Sequence, residues 1–159
     1  MNVGRPPVIL WLDTFNNYCH PHVAQAAVEV LEAAGCEVLV PRPALCCGRP
    51  LYDYGMLELA RSKLLQILAA LRPTIAEDIS MVGLEPSCVS VFRDDLKRML
   101  GHDADAQRLS RKVFTLAEFS VQRGPFPATS AAAPCCTVIV IRNRFWNSGP
   151  TSSSCVPWG

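Results

Sequence analysis

The feature that most constrains the fold is an alternation of short apolar runs with helical segments. The run Val8 to Leu12 is apolar, includes β-branched residues and is followed by polar turn residues, as buried parallel strands are. From Pro21 apolar residues recur at helical spacing, and Gly35 stands where a left-handed C-cap belongs. Cys36 to Val40 is typical of a second strand. This strand, helix, strand order predicts a parallel sheet.

The alternation continues and predicts an α/β fold, with a small parallel sheet of βαβ units flanked by helices. Met56 to Leu71 has a regular apolar face and predicts a long helix that ends before Pro73. Ser80 to Leu84 predicts a third strand. Three further helices are predicted at Val89 to Leu100, Ala104 to Lys112 and Leu116 to Gln122.

Length and charge restrict the function further. We assign residues 1–123 to one domain and residues 124–159, where the composition changes, to a linker and irregular tail. Lysine and arginine total 15 against 14 for aspartate and glutamate, so no global field favours nucleic acid or an anionic membrane. The first apolar run is short and ends at Asp13, so we expect no signal peptide, no membrane span and a cytoplasmic location.

Eight cysteines are many for a cytoplasmic chain, where clustered cysteines favour metal or redox chemistry. Cys46 and Cys47 are adjacent, in a loop after a predicted strand, where open α/β sheets place ligand sites. Their thiolates could bind one cluster, and Gly48 would let the backbone approach its inorganic core. The alternative is a pair of small buried hydrophobic side chains.

Cys88 lies at the start of a predicted helix, where the helix dipole stabilises a thiolate. It is a candidate third ligand on the same edge of the sheet. The alternative is an unreactive cysteine in a turn.

Cys19, His20 and His22 follow the first strand, so a mixed zinc site is conceivable at that edge. The chain has no CxxC pair, and this absence favours an iron–sulfur site over a zinc site. The alternative for His20 and His22 is that both are polar surface residues around a turn. The remaining interpretations are Cys36 as a core residue, Asp13 and Asn17 as loop-orienting or ordinary turn residues, and Asp53 as a helix N-cap. No phosphate loop or catalytic triad is present, and no catalytic residue is assigned.

The runs ALCCGRPLYDYGML and GLEPSCVSVFRDDL resemble the cysteine-rich CCG domain family. With the opening VILWLDTFNNY, the chain is most similar to the iron–sulfur region of FAD-linked oxidases of the D-lactate or glycolate dehydrogenase type, over Pro7 to Phe119. Related modules occur in lactate-utilisation proteins, the iron–sulfur component of glycolate oxidase and heterodisulfide reductase.

In that family a repeat has a leading cysteine, a CCG pair and a terminal CxxC, and a domain usually holds two repeats that bind an iron–sulfur cluster or zinc. The resemblance implies that Cys46 and Cys47 are the pair and that Cys88 opens the terminal motif, while Val91 replaces its second cysteine. Cys19 is near the leading position. The chain would then be the degenerate first half of a two-repeat domain, with a cluster shared with the second repeat and zinc as the alternative metal.

The implied function is electron transfer from a flavin-dependent 2-hydroxyacid dehydrogenase, as a component of an oxidoreductase. FAD would lie on a partner domain, and the partners would be the flavin dehydrogenase, a second CCG repeat and a ferredoxin-like cluster domain. Any contact with the membrane would be peripheral and made by partners. One alternative function is a metal-free docking module. Another is a thiol–disulfide enzyme that uses Cys46 and Cys47, and it is disfavoured because a disulfide between adjacent residues is strained.

The tail supports one further hypothesis. Allowed codons for Pro134 to Asn147, read two bases later, spell LLHGHCHQKPLLE, which resembles the opening of the family's second repeat. We therefore expect a reading-frame slip near Pro134, which would make Cys135, Cys136 and Cys155 out-of-frame products. The alternative is a genuine divergent tail whose Val138 to Ile141 adds an edge strand.

Overall fold

A computed structural model describes residues 4–42 and 44–123, which contain a four-stranded parallel sheet. The strands are β1 (Pro7–Trp11), β2 (Glu37–Leu39), β3 (Ser80–Gly83) and β4 (Val113–Thr115), in the order β2-β1-β3-β4. Every neighbouring pair is parallel. The predicted α/β class is confirmed. The predictions for residues 124–159 lie outside the described residues.

Helices cover both faces of the sheet. Because side chains alternate along a strand, Ile9 and Met81 face one core while Val8 and Val82 face the other. The helices are α1 (Thr14–Tyr18), α2 (Pro21–Ala33), α3 (Arg49–Asp53), α4 (Leu57–Ala76), α5 (Pro86–Ser90), α6 (Leu96–Leu100), α7 (Ala104–Arg111) and α8 (Leu116–Arg123). A π-helical turn, Val91–Asp95, joins α5 to α6. None of the described helices is long and apolar enough to cross a membrane.

The long helix continues through the proline at which the sequence predicts its end. Pro73 lies inside α4, which runs to Ala76. Proline removes one backbone donor, but Ile75 beyond it is buried in the core at 3% exposure. The Thr74 hydroxyl also donates to the carbonyl of Leu71 at 2.7 Å. Burial of Ile75 offsets the lost hydrogen bond.

Three short elements are absent from the sequence prediction: α1, α3 and β4. Asp13 begins α1 because its side chain accepts hydrogen bonds from the amides of Phe15 and Asn16, both at 3.0 Å. The N-cap prediction for Asp53 is wrong: it is the last residue of α3, where it pairs with Arg49 at 3.1 Å. Helix α4 follows Met56, whose side chain makes no capping hydrogen bond.

The end of β3 passes very close to the helix that follows it. A Cβ atom at Gly83 would lie 2.7 Å from Cγ2 of Val89, which is buried and β-branched. Such a contact is too short, and a stiff valine side chain cannot rotate away without strain. Gly83 therefore sets how closely α5, with Cys88, packs against the sheet.

We expect Gly83→Ala to lower the free energy of unfolding by about 1–3 kcal/mol, the usual effect of overpacking a core. Urea denaturation followed by circular dichroism measures it. Gly4→Ala is the matched control, because nothing lies within 4 Å of a Cβ there. Equal stability of the two variants would contradict the close contact.

Candidate metal centre

Two cysteines meet at the carboxyl edge of the sheet. Cys47 comes from the loop after β2 and Cys88 from α5, after β3. Their sulfur atoms are 3.0 Å apart, and the residues are only 4% and 5% exposed. The structure thus brings together two of the residues that the sequence predicted as ligands, although 41 positions separate them in the chain.

Gly48 turns the chain immediately after Cys47. It has a left-handed conformation, φ +75°, and stands directly before α3. A Cβ there would approach Cδ1 of Leu51 at 3.2 Å. The conformation favours glycine strongly. Gly48 therefore lets Cys47 enter the core while α3 begins at once, and this turn is a role for Gly48 that the sequence did not predict.

Two buried hydrogen-bond donors accompany the sulfurs. The indole N–H of Trp11 and the hydroxyl of Tyr52 are buried without a well-formed hydrogen bond among the described residues, although the indole lies near enough to Cys88 to lower the pKa of that thiol. Trp11 ends β1 and packs edge-on against Phe92, with ring centroids 4.8 Å apart. Tyr52 packs against the core cluster that contains Cys47 and Cys88. Unpaired buried donors are costly, so both groups suit an added acceptor.

The pKa values of the two thiols are shifted in opposite directions. The hydrogen bond that Cys88 donates to Cys47 lowers the pKa of Cys47 most; burial opposes it, and the Arg49 amide supports it. That same hydrogen bond, together with burial, raises the pKa of Cys88, and the nearby Trp11 indole acts in the opposite direction. Cys47 is therefore the more acidic thiol of the pair, and both sulfur atoms are soft donors for a metal.

Cys46 points away from its neighbour. It is exposed, and the Thr14 hydroxyl lies 3.8 Å from its sulfur, within reach of a weak hydrogen bond. Cys46 lines a cavity of about 440 Å³ under α1, together with Trp11, Tyr18 and Arg42. Cys46 is exposed and Cys47 is buried, so the two thiols of the adjacent pair lie in different environments.

The other candidate ligands lie apart from this pair. Cys19 is exposed at the end of α1, and the rings of His20 and His22 are 5.7 Å apart at the start of α2. Among residues 4–42 and 44–123, no group of three or more His, Cys, Asp or Glu side chains is placed to hold a metal ion. Cys36 is fully buried in the core on the opposite face of the sheet, as predicted.

The π-helical turn was not predicted, and it shapes the site. It places Phe92 against Trp11, while Arg93 donates to the Val113 carbonyl at 2.9 and 3.1 Å. Val91 begins the turn, one helical turn after Cys88, and is fully buried in the same core cluster. Isolated π turns often occur at functional sites. The run EPSCVSVFRDD carries no pattern that signals the extra residue.

An iron–sulfur cluster is compatible with part of this donor set. Cluster sulfides and thiolates accept hydrogen bonds, and the unpartnered donors of Trp11 and Tyr52 suit such acceptors. A cluster is normally bound by four thiolates. The described residues bring only the sulfurs of Cys47 and Cys88 into contact, and the thiol of the neighbouring Cys46 is exposed. The residues therefore fit as part of a ligand set.

The chain is similar in sequence to proteins of a known family. Residues 12–93 match the family described as CCG, cysteine-rich domain, and the chain belongs to this family. Those residues include β2, β3, the cysteine pair Cys47 and Cys88, and the first residues of the π turn.

Several relatives carry the name Lactate utilization protein A. That of Bacillus velezensis is 35% identical over 63% of this chain and 42% of its own length. That of Exiguobacterium is 37% identical over 56% of this chain and 36% of its own length. That of Bacillus cytotoxicus is 31% identical over 72% of this chain and 47% of its own length. The chain thus spans less than half the length of these relatives. No solved structure shows significant similarity to it.

The buried hydroxyl of Tyr52 gives a pH test of this site. Burial first, and then the nearby carboxylate of Asp95, raise the pKa of Tyr52 from 10.0 to about 12. Because the unfolded chain ionises this tyrosine near pH 10, the stability from protonated Tyr52 is complete below pH 10 and lost as pH rises to about 12.

We therefore expect the free energy of unfolding to fall less steeply from pH 10 to about 12 in Tyr52→Phe than in the wild type. Urea titrations at several pH values measure the slope. Tyr54→Phe is the control, since Tyr54 is 81% exposed and should keep the wild-type slope. Equal slopes in all three proteins would show that Tyr52 is not in the environment described.

Proposed function

We propose that this chain is the iron–sulfur binding, electron-transfer module of a flavin-dependent 2-hydroxyacid dehydrogenase that acts on lactate or glycolate. The observation that carries the proposal is the buried pair Cys47 and Cys88, 3.0 Å apart in a domain of the CCG cysteine-rich family. The name of the relatives, Lactate utilization protein A, supports lactate as the source of electrons.

In this proposal Cys47 and Cys88 hold the cluster, which supplies one-electron transfer when bound. Cys46 is the third candidate ligand and needs a rotation of its loop to join them, because its side chain lies in the cavity under α1. Cys19 is the weakest candidate. Trp11 and Tyr52 would donate hydrogen bonds to the cluster's sulfur atoms and favour its reduced state.

The remaining ligands would come from outside the described residues. A second CCG repeat is the partner best suited to complete the cluster, since only two thiols meet among the described residues and the chain spans 42% of a relative's length. A flavin dehydrogenase domain or subunit would supply the electrons, with FAD bound there, and a ferredoxin-like cluster domain would accept them. The assembly would be cytoplasmic, peripheral to the membrane only through its partners.

A metal-free docking module is the second candidate, favoured by apolar side chains near the site. Phe15 and Tyr18 on α1 are 67% and 68% exposed, and Tyr18 lines the cavity beside Cys46. Exposed aromatic side chains beside one another are typical of interaction surfaces. Metal binding requires the thiols of Cys47 and Cys88, whereas docking to a partner does not.

Anaerobic reconstitution of the full chain with ferrous iron and sulfide separates the two functions. We expect the wild type to retain iron and sulfide, and Cys47→Ser and Cys88→Ser each to lose at least about tenfold in metal affinity, because thiolates are the iron ligands. Cys36→Ala is the control, since Cys36 lies in the opposite core.

Three other outcomes are informative. Zinc that stays bound through purification, with no uptake of iron and sulfide, would favour zinc as the metal of this site. Retention of neither metal by the wild type would leave the docking function. Equal iron in the serine variants and the wild type would show that these cysteines are not ligands.

Restoring the missing cysteine should strengthen the site. Val91 is one helical turn from Cys88 and buried in the same cluster, so Val91→Cys would add a third thiol beside the pair. We expect at least a twofold rise in iron and sulfide per chain, measured after identical reconstitution. Val89→Cys adds an equally buried thiol at a neighbouring position and is the control. The same metal content in both variants would contradict the proposed geometry.

A further inference from the structure

We propose that Cys47 and Cys88 are also an oxidative modification site: in protein without metal, a hydroperoxide converts the pair to a disulfide, which then blocks metal binding until it is reduced. Formation of the disulfide goes beyond the proposed function. Its effect on metal binding rests on that function.

The distance between the two sulfur atoms is longer than a disulfide bond and shorter than the separation of two thiolates on one metal ion. A disulfide bond is about 2.05 Å long, so the sulfurs, now 3.0 Å apart, must approach by about 1 Å. Two thiolates on one tetrahedral metal, each about 2.3 Å from it, would lie roughly 3.8 Å apart. Similar small movements in opposite directions therefore lead to the disulfide or to the metal complex.

The fold selects this pair among the five described cysteines. Cys46 faces the cavity, and its bond to Cys47 would be a strained disulfide between adjacent residues. Cys36 is buried in the core on the other face of the sheet, and Cys19 is exposed at the end of α1. Cys47 and Cys88 come from separate segments, the loop before α3 and helix α5, so neither constraint applies to them.

The reaction needs one hydroperoxide for each chain. The thiolate of one cysteine attacks a peroxide oxygen, the O–O bond breaks, and an alcohol leaves with a proton from solvent, which gives a sulfenic acid. The thiol of the other cysteine then displaces water from that sulfur and forms the S–S bond. In total the two thiols lose two electrons and two protons, and the hydroperoxide is reduced to alcohol and water.

The disulfide changes both ligation and stability. Neither sulfur keeps the thiolate charge that a metal ligand requires, so the oxidised site cannot bind a cluster through them. The bond also closes a loop of 41 positions that contains α3 and α4. Closing such a loop restricts the unfolded chain, which predicts an upward shift of Tm on the order of 10 °C.

The test uses the full chain, reduced, stripped of metal and freed of reductant, and then exposed to an equimolar amount of hydrogen peroxide. We expect the intact mass to fall by two hydrogens and Tm to rise, with both changes reversed by dithiothreitol. Cleavage after glutamate releases residues 38–58 with Cys46 and Cys47, separate from Cys36 and Cys88. Non-reducing mass spectrometry should find that peptide joined to the one with Cys88, and it resolves links made by the tail cysteines.

Variants identify the sulfur atoms. We expect Cys46→Ser to keep the link, and Cys47→Ser and Cys88→Ser to lose it. If Cys47→Ser or Cys88→Ser fails to fold, the peptide maps of the wild type and of Cys46→Ser still show which cysteine is linked to Cys88. A link made by Cys46, or oxidation to sulfinic acid without a link, would overturn the proposal.

Iron uptake without added reductant then tests the blocking effect, which should lower uptake at least tenfold in oxidised protein compared with reduced protein. If the disulfide forms but the reduced protein takes no iron, the proposed function fails and the modification site stands. If iron binds but no disulfide forms, the modification site alone fails. Equal uptake by oxidised and reduced protein would overturn the blocking effect.

Discussion

The parallel pairing of β1 with both β2 and β3 is the constraint on which the rest of the structure depends. Pro7 to Ile9 pair with Glu37 to Leu39, and Val8 to Trp11 pair with Ser80 to Gly83. Because the three strands run in one direction, the segments that follow them leave at the same edge of the sheet. This edge therefore collects Trp11, the loop with Cys47, and α5 with Cys88, and the connecting helices cover the two faces.

The site and the main core are built from the same contacts. Cys47 and Cys88 belong to the cluster that includes Leu64, Phe92 and Leu96, with Trp11 packed edge-on against Phe92. Gly83 allows α5 to approach the sheet, and Gly48 allows the loop to turn into α3. A change in core packing therefore moves the sulfur atoms, and a change at the sulfur atoms alters the core.

The sequence predicted most of the fold because periodicity is strong where burial is strong. The apolar runs at Val8 to Leu12 and at Ser80 to Leu84 predict the central strands, and the helical face of Met56 to Leu71 predicts the longest helix. Elements of three to five residues, such as β4 and α1, are too short to show a reliable pattern. Pro73 misled the prediction because local propensity takes no account of the tertiary burial of Ile75.

The candidate site was predictable only in part. Strand ends place Cys46, Cys47 and Cys88 at one edge, and this argument needs no side-chain geometry. It cannot say which of two adjacent cysteines turns inward, since that depends on the turn at Gly48. Trp11 and Tyr52 were not predicted as polar groups of the site, because an aromatic side chain is ordinarily interpreted as a packing residue. Only a count of buried hydrogen-bond donors distinguishes these two.

The burial of the two sulfurs also has a kinetic consequence. With the cysteines 4% and 5% exposed, neither a metal ion nor a hydroperoxide in solution reaches the sulfur atoms while the domain stays closed. Loading must then await local opening of the loop before α3 and of α5, or occur before the core closes during folding. Where opening is slow, the rate of metal entry is set by the protein's own opening rate and becomes independent of metal concentration. Metal that has entered is retained for as long as the same core stays closed.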